Sequence, residues 1–137
     1  DIAGPADLLF ELIGDPARQP EWDGNDNLTA AVDPQRVRQV GDVFGMSTSK
    51  GKLKDNRVVV FEEGRTIGWL TADHGHEPPG HLWRWDLDPL DAATTRVTHT
   101  YDWTALTDEK RLNRARRTSA EWLQASLSRL AALAEEQ

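Results

Sequence analysis

In TRVTHTYDW, residues 95–103, His99 and Tyr101 stand two apart, the spacing that puts two side chains on one face of a strand. An unperturbed imidazole titrates near neutrality, so His99 on such a face is suited to carry a proton or to hydrogen-bond a ligand carbonyl. The plainer reading is a histidine held in the sheet by Tyr101 or Arg57 and doing no chemistry. Just upstream, HLWRWDL at 81–87 repeats the alternation. His81, Trp83, Trp85 and Leu87 share one face, and Leu82, Arg84, Asp86 and Asp88 share the other. A buried tryptophan withdraws ~150–250 Å² from water, worth roughly 4–6 kcal/mol, so these rings turn inward. There they either fill a core or line a hollow.

The same alternation puts Phe44, Met46 and Thr48, and Ile67, Trp69 and Thr71, on the inner face. The run VVVF blurs the period in 52–61, where Arg57, Val59 and Phe61 are read as inward. Arg57, His99 and Tyr101 carry polar ends that need partners when buried. Ser119 and Ser126 interrupt the inner face of the last helix, where a filled core would prefer Leu or Ile. An apolar pocket with a few convergent polar groups is the usual form of a small-molecule site, and the pattern favours one here. Leu123 lies on that helix face. Arg116, on its flank, is placed to meet an anionic ligand group at the mouth. Trp22 is placed to lid the cavity, to anchor the N-terminal helices, or both.

Other chemistries find less support. HGHEPPGH at 74–81 offers three imidazoles, but in a proline-broken loop without the helical spacing of a zinc motif, so no metal and no other cofactor is expected. No carboxylate pair stands out as acid and base, and glycine-rich phosphate loops and GxSxG are absent. The chain has no cysteine, which excludes thiolate catalysis and disulfides and fits a reducing cytoplasm. Sixteen basic against twenty-three acidic residues give a net charge of -7, which argues against nucleic-acid binding. The basic residues Lys110, Arg111, Arg114, Arg116 and Arg117 read as a mostly solvated helix face.

The elements that must position these residues follow from the same string. Its 137 residues and mean hydropathy of -0.63 suit one domain, 1–137, with a lean core concentrated in six tryptophans. No run approaches the ~20 apolar residues of a membrane span, and no signal-peptide pattern opens the chain. Pro5 and Gly14 bracket ADLLFELI as a short helix, and Asp15-Pro16 starts a second through Trp22. Six strands are predicted near 27–32, 43–49, 52–61, 66–72, 81–88 and 94–103, with residues 1–3 as the stub of one more. Thr107, with Asp108 and Glu109 behind it, opens a helix that nothing interrupts to Gln137, about 40 Å long. Its inner face carries Leu112, Ala115, Ser119, Leu123, Leu127, Leu130, Leu133 and Ala134, with Trp122 at the edge.

Short helices, antiparallel meander, long C-terminal helix: this order resembles the START-like helix-grip superfamily, and more closely its polyketide cyclase/dehydrase and lipid-transport branch, SRPBCC. The likeness is carried by IAGPADLLFELIGDPARQPEWDG at 2–24, VGDVFGM at 40–46, NRVVVFEEGRTIGW at 56–69, HLWRWDLDP at 81–89, TRVTHTYDW at 95–103 and the final helix. It departs at the front, where members carry a full strand. The resemblance implies an α+β helix-grip fold, a curved antiparallel sheet around the long helix with a cavity between. It implies a small hydrophobic ligand, lipid-, polyketide- or aromatic-like, bound by a monomer or homodimer. Trp22, Met46, Arg57, Trp69, Trp83, Trp85, His99, Tyr101, Arg116, Ser119 and Leu123 are the residues expected at it. A cyclase or dehydratase using His99, or a protein-interaction module, are the alternatives.

Overall fold

The computed structural model describes residues 1–24, 28–32, 35–107, 109–118 and 120–136, with the side chains of Arg111 and Arg114 outside that description. The expectations for Ser119, for Asp108 in the helix start, and for the outward side chains of Arg111 and Arg114 therefore lie outside the described residues.

Period-2 segments between turn signals become strands β1 (Ile2–Ala3), β2 (Leu28–Val32), β3 (Val43–Thr48), β4 (Leu53–Glu62), β5 (Thr66–Asp73), β6 (Leu82–Asp91) and β7 (Thr94–Asp102). All neighbours are antiparallel, in the order β1-β7-β6-β5-β4-β3-β2. This is a meander in which the two-residue stub closes onto the last strand. Before β2 come helices α1 (Ala6–Gly14) and α2 (Gln19–Trp22), with a 3-10 turn at Pro16–Arg18 between them. The Asp15 side chain accepts from the Ala17 N–H and so caps that turn. β6 runs three residues past the expected end. The ladder shifts register between Pro89 and Asp91, which accommodates a proline that cannot donate to it.

Two expectations are corrected. The C-terminal helix is not continuous: α3 (Glu109–Arg117) is separated from α4 (Ala120–Glu135) by a bend at Thr118. Thr118 N–H bonds the Ala115 carbonyl, three residues back, at 3.0 Å. That tightened final turn ends α3 without any Gly or Pro. In β4, Asn56 and Val58 are the buried residues, while Arg57 and Val59 point outward. A bulge between Val58 and Val60 places Val58 opposite Trp69 and Phe61 opposite Ile67. One extra residue thus lets two side chains three apart both face inward, which strict alternation forbids. Phe61 is inward as expected, edge-on to Phe10 with centroids 5.7 Å apart.

The core is filled at one end only. The central strands contribute Phe44, Val58, Ile67, Leu87 and, half-buried, Phe61 and Val97 to the packed end. Leu9, Phe10 and Ile13 of α1 and Leu130 and Ala134 of α4 cover them. Arg36, bonded to Glu11 and Glu63 at 2.6 Å each, ties α1 to the β4–β5 turn.

Candidate functional site

Two residues further along the same faces, the inner positions become Met46, Asn56, Trp69, Trp85 and His99, then Thr48, Lys54, Thr71, Trp83 and Tyr101. These line a cavity of about 470 Å³ under the junction of α3 and α4. α4 brings Leu130 over the packed end, whereas among its described residues only Trp122, 44% exposed, joins the lining of this one. Trp22, Leu106, Arg117 and Thr118 complete the covering side.

The aromatic wall follows from strand register. Trp83 pairs with Tyr101 across β6 and β7, and their rings stack at 4.1 Å; Trp85 pairs with His99, stacked at 3.8 Å and 10°. Trp69 sits opposite Trp83 on the other flank. Trp22 meets Trp85 edge-on at 5.1 Å and donates its indole N–H to the Leu12 carbonyl at 2.8 Å. It therefore anchors the N-terminal helices and walls the cavity at once. Aromatic pairs in these geometries add about 0.5–1.5 kcal/mol each beyond burial, so the wall is preorganised.

Polar chemistry in the wall is sparse and specific. Asn56, only 4% exposed, donates to the Phe44 carbonyl and accepts from the Thr71 hydroxyl at 2.7 Å. Trp85 Nε1 and His99 Nδ1 are buried with no hydrogen-bond partner among the described residues. Burial pushes the His99 imidazole down to about 4, against a smaller upward pull from a backbone hydrogen bond with Leu123. At neutral pH the ring is thus uncharged, with one donor and one acceptor nitrogen. It is a weaker base than the sequence expectation of a near-neutral titration implied. Lys54, half-buried, is ion-paired with Asp73.

Seven of the expected site residues come together: Trp22, Met46, Trp69, Trp83, Trp85, His99 and Tyr101. Arg57 does not. It sits on the outer face 3.9 Å from Glu77, so it neither holds His99 nor reaches a ligand. Arg116 is exposed and donates to Asn113 Oδ1 at 3.2 Å, while its neighbour Arg117 stands at the mouth, at the end of α3. Leu123 reaches His99 through its backbone and is not part of the lining. Ser126, expected to mark a gap in the inner helix face, is a docking point: its Oγ accepts the Gly24 N–H at 2.8 Å.

Sequence reasoning missed Asn56, His81, Lys50, Lys52, Lys54, Arg117 and Trp122 as lining residues. A polar residue inside an otherwise apolar strand face was the available signal for Asn56. Of the loop histidines, His74 Nδ1 lies 2.9 Å from Asp55 Oδ1, a bond that holds this carboxyl below its ordinary range. No group of three or more metal-ligating side chains occurs among the described residues.

Sheet, covering helix and enclosed hollow define a helix-grip fold of the α+β class. Comparison with solved structures agrees. Protein MLL2253 from Mesorhizobium loti superposes with a TM-score of 0.72 at 17% identity over 100% of this chain and 93% of that one. DynU16, from the dynemicin biosynthetic locus, gives 0.65 at 22% identity over 98% of this chain and 44% of its own. The Aha1 dimer from Colwellia psychrerythraea gives 0.62 at 18% over 97% and 90%. Among curated sequences, the uncharacterized protein Rv0088 of Mycobacterium tuberculosis is 30% identical over 108 residues, 77% of this chain. The chain spans about half, 46%, of that relative's length. No family model matches the chain. Among the described residues, no helix is long and apolar enough to cross a membrane.

Proposed function

We propose that residues 1–137 form a single helix-grip domain of the SRPBCC type that binds a small hydrophobic, aromatic or polyketide-like molecule in the hollow. The observation that carries this reading is the hollow itself: about 470 Å³ walled by stacked aromatic rings, with two buried ring nitrogens lacking partners in the described protein. Pockets of this size accommodate much of a drug-sized molecule. A buried N–H without a partner costs about 1–3 kcal/mol, which a guest oxygen would recover. The polyketide-like class of guest rests on the resemblance carried by the sequence segments, and the likeness to DynU16 supports the fold.

A cyclase or dehydratase stands second, and His99 decides the order. An imidazole held near 4 is a weak base at neutral pH, better suited to accept a hydrogen bond than to abstract a proton. Turnover of a polyketide-like substrate that disappears in His99→Phe while binding persists would reverse that order.

Thr118 lines the cavity at the α3–α4 bend, where a larger side chain meets space rather than core. Thr118→Trp is expected to weaken binding of N-phenyl-1-naphthylamine, a neutral aromatic probe, at least about tenfold while leaving the far-ultraviolet circular dichroism unchanged. Fluorescence titration measures this. Undiminished binding in the folded variant would move the guest elsewhere and sink the proposal.

A further inference from the structure

We infer that the cavity selects an amphipathic anion, its apolar body against the tryptophan wall and its negative group at the mouth between Lys50, Lys52 and Arg117. The inference rests on the binding role proposed for the hollow and goes on to name the class of guest.

Charge distribution is the first argument. The chain carries sixteen lysines and arginines against twenty-three aspartates and glutamates. Yet the described lining residues include four of the former, Lys50, Lys52, Lys54 and Arg117, and of the latter only Asp23. A mouth drawn evenly from this composition would be acidic. Lys54 is committed to Asp73, and neither Lys50 nor Lys52 takes part in an ion pair among the described residues.

The second argument is presentation. Lys50 and Lys52 flank Gly51 in the β3–β4 turn. Thr48 N–H bonds the Lys52 carbonyl at 2.8 Å, Gly51 N–H the Thr48 carbonyl at 2.9 Å, and Lys52 N–H the Thr48 Oγ1 at 3.2 Å. Gly51 adopts φ 76°, a left-handed conformation that a side chain would strain, so the turn is fixed with both lysines exposed. On the helical side, Arg117 donates through Nε to the Asn113 carbonyl at 3.3 Å.

The third is depth. Around Trp85 and His99 the wall offers an indole N–H and an uncharged imidazole but, among the described residues, no free cation, so an anionic group there would lose its hydration without compensation. At the exposed mouth the same group keeps water and gains the field of three cations. The guest therefore enters apolar end first.

The test compares N-phenyl-1-naphthylamine with its 8-sulfonate, two probes sharing one body and differing in charge. With wild-type protein at low salt, the sulfonate is expected to bind about tenfold more tightly than the neutral probe. In Lys50→Glu/Lys52→Glu, both substitutions lying on an exposed turn, the ratio of sulfonate to neutral-probe affinity is expected to fall about tenfold, to one or below. Sulfonate binding that survives Thr118→Trp would place the anion outside the cavity and overturn the inference. Equal affinity for both probes, or a preference indifferent to the charge reversal, would overturn it while leaving the binding role intact. Failure of both probes to bind would remove the binding role itself.

Discussion

Gly24→Ala is expected to destabilise the protein by about 3–5 kcal/mol. A Cβ on Gly24 would stand 2.4 Å from the Trp122 carbonyl oxygen and 2.7 Å from the Ser126 nitrogen. Both atoms belong to the backbone of α4, which cannot yield locally without breaking its own ladder. Relief therefore requires α4 to move away from α2. That movement stretches the bond from Gly24 N–H to Ser126 Oγ and the bond from Arg129 Nη1 to the Asp23 carbonyl, 2.5 Å long. It also loosens Trp22, 2% exposed, from its edge contact with Trp85. Urea denaturation of the variant measures the loss, and Ser126→Ala calibrates it. The latter leaves the glycine in place but strands a buried N–H, costing about 1–2 kcal/mol. The contact feeds directly into the site, because Trp22 and Trp122 both wall the cavity. A Gly24→Ala protein within 0.5 kcal/mol of wild type, by the usual ~0.5 kcal/mol scatter of neutral substitutions, would mean that the helix does not approach this closely.

The aromatic wall was legible because strand alternation is a local property. Trp83 and Trp85 had to share a face, His99 and Tyr101 had to share another, and cross-strand register then stacked them in pairs. The features that escaped are those that local periodicity cannot encode. VVV at 58–60 contains no mark of where the extra residue sits, and the bulge there decided that Asn56 rather than Arg57 faces the cavity. A break in a helix without Gly or Pro leaves only the weak signal of Thr118-Ser119, and it governs which arginine reaches the mouth. Ser126 looked like a gap in an apolar face, because a side chain used to dock a distant backbone N–H reads the same as one left open. Nothing in the sequence sets Lys50 and Lys52 apart from other turn lysines. Only the laying of the helices across the sheet brings that turn to the rim of a hollow, and that packing is a tertiary fact.

His99 should make the stability of this protein fall as the solution is acidified from about pH 6.5 to about pH 4. The imidazole binds its proton near 6.5 in the unfolded chain, but only near 4 in the native structure, where burial disfavours the charge. Above 6.5 both states hold a neutral ring and this contribution is constant. Between the two values the unfolded chain takes up a proton that the folded one refuses, so unfolding is favoured by about 1.4 kcal/mol per pH unit. By pH 4 the loss is about 3 kcal/mol, and below it this group adds nothing further. Carboxylates titrate over part of the same window, so the measurement is a difference. Denaturation free energies of wild type and His99→Phe, which keeps a flat ring against Trp85, are compared at half-unit steps from pH 7.5 to 3.5. The curves should run parallel above 6.5 and diverge below it, with the phenylalanine variant becoming relatively more stable. Parallel curves throughout would mean that His99 takes up its proton as readily in the fold as in water. The deep end of the hollow would then tolerate charge, and the orientation argued for the guest, apolar end inward, would lose its physical ground.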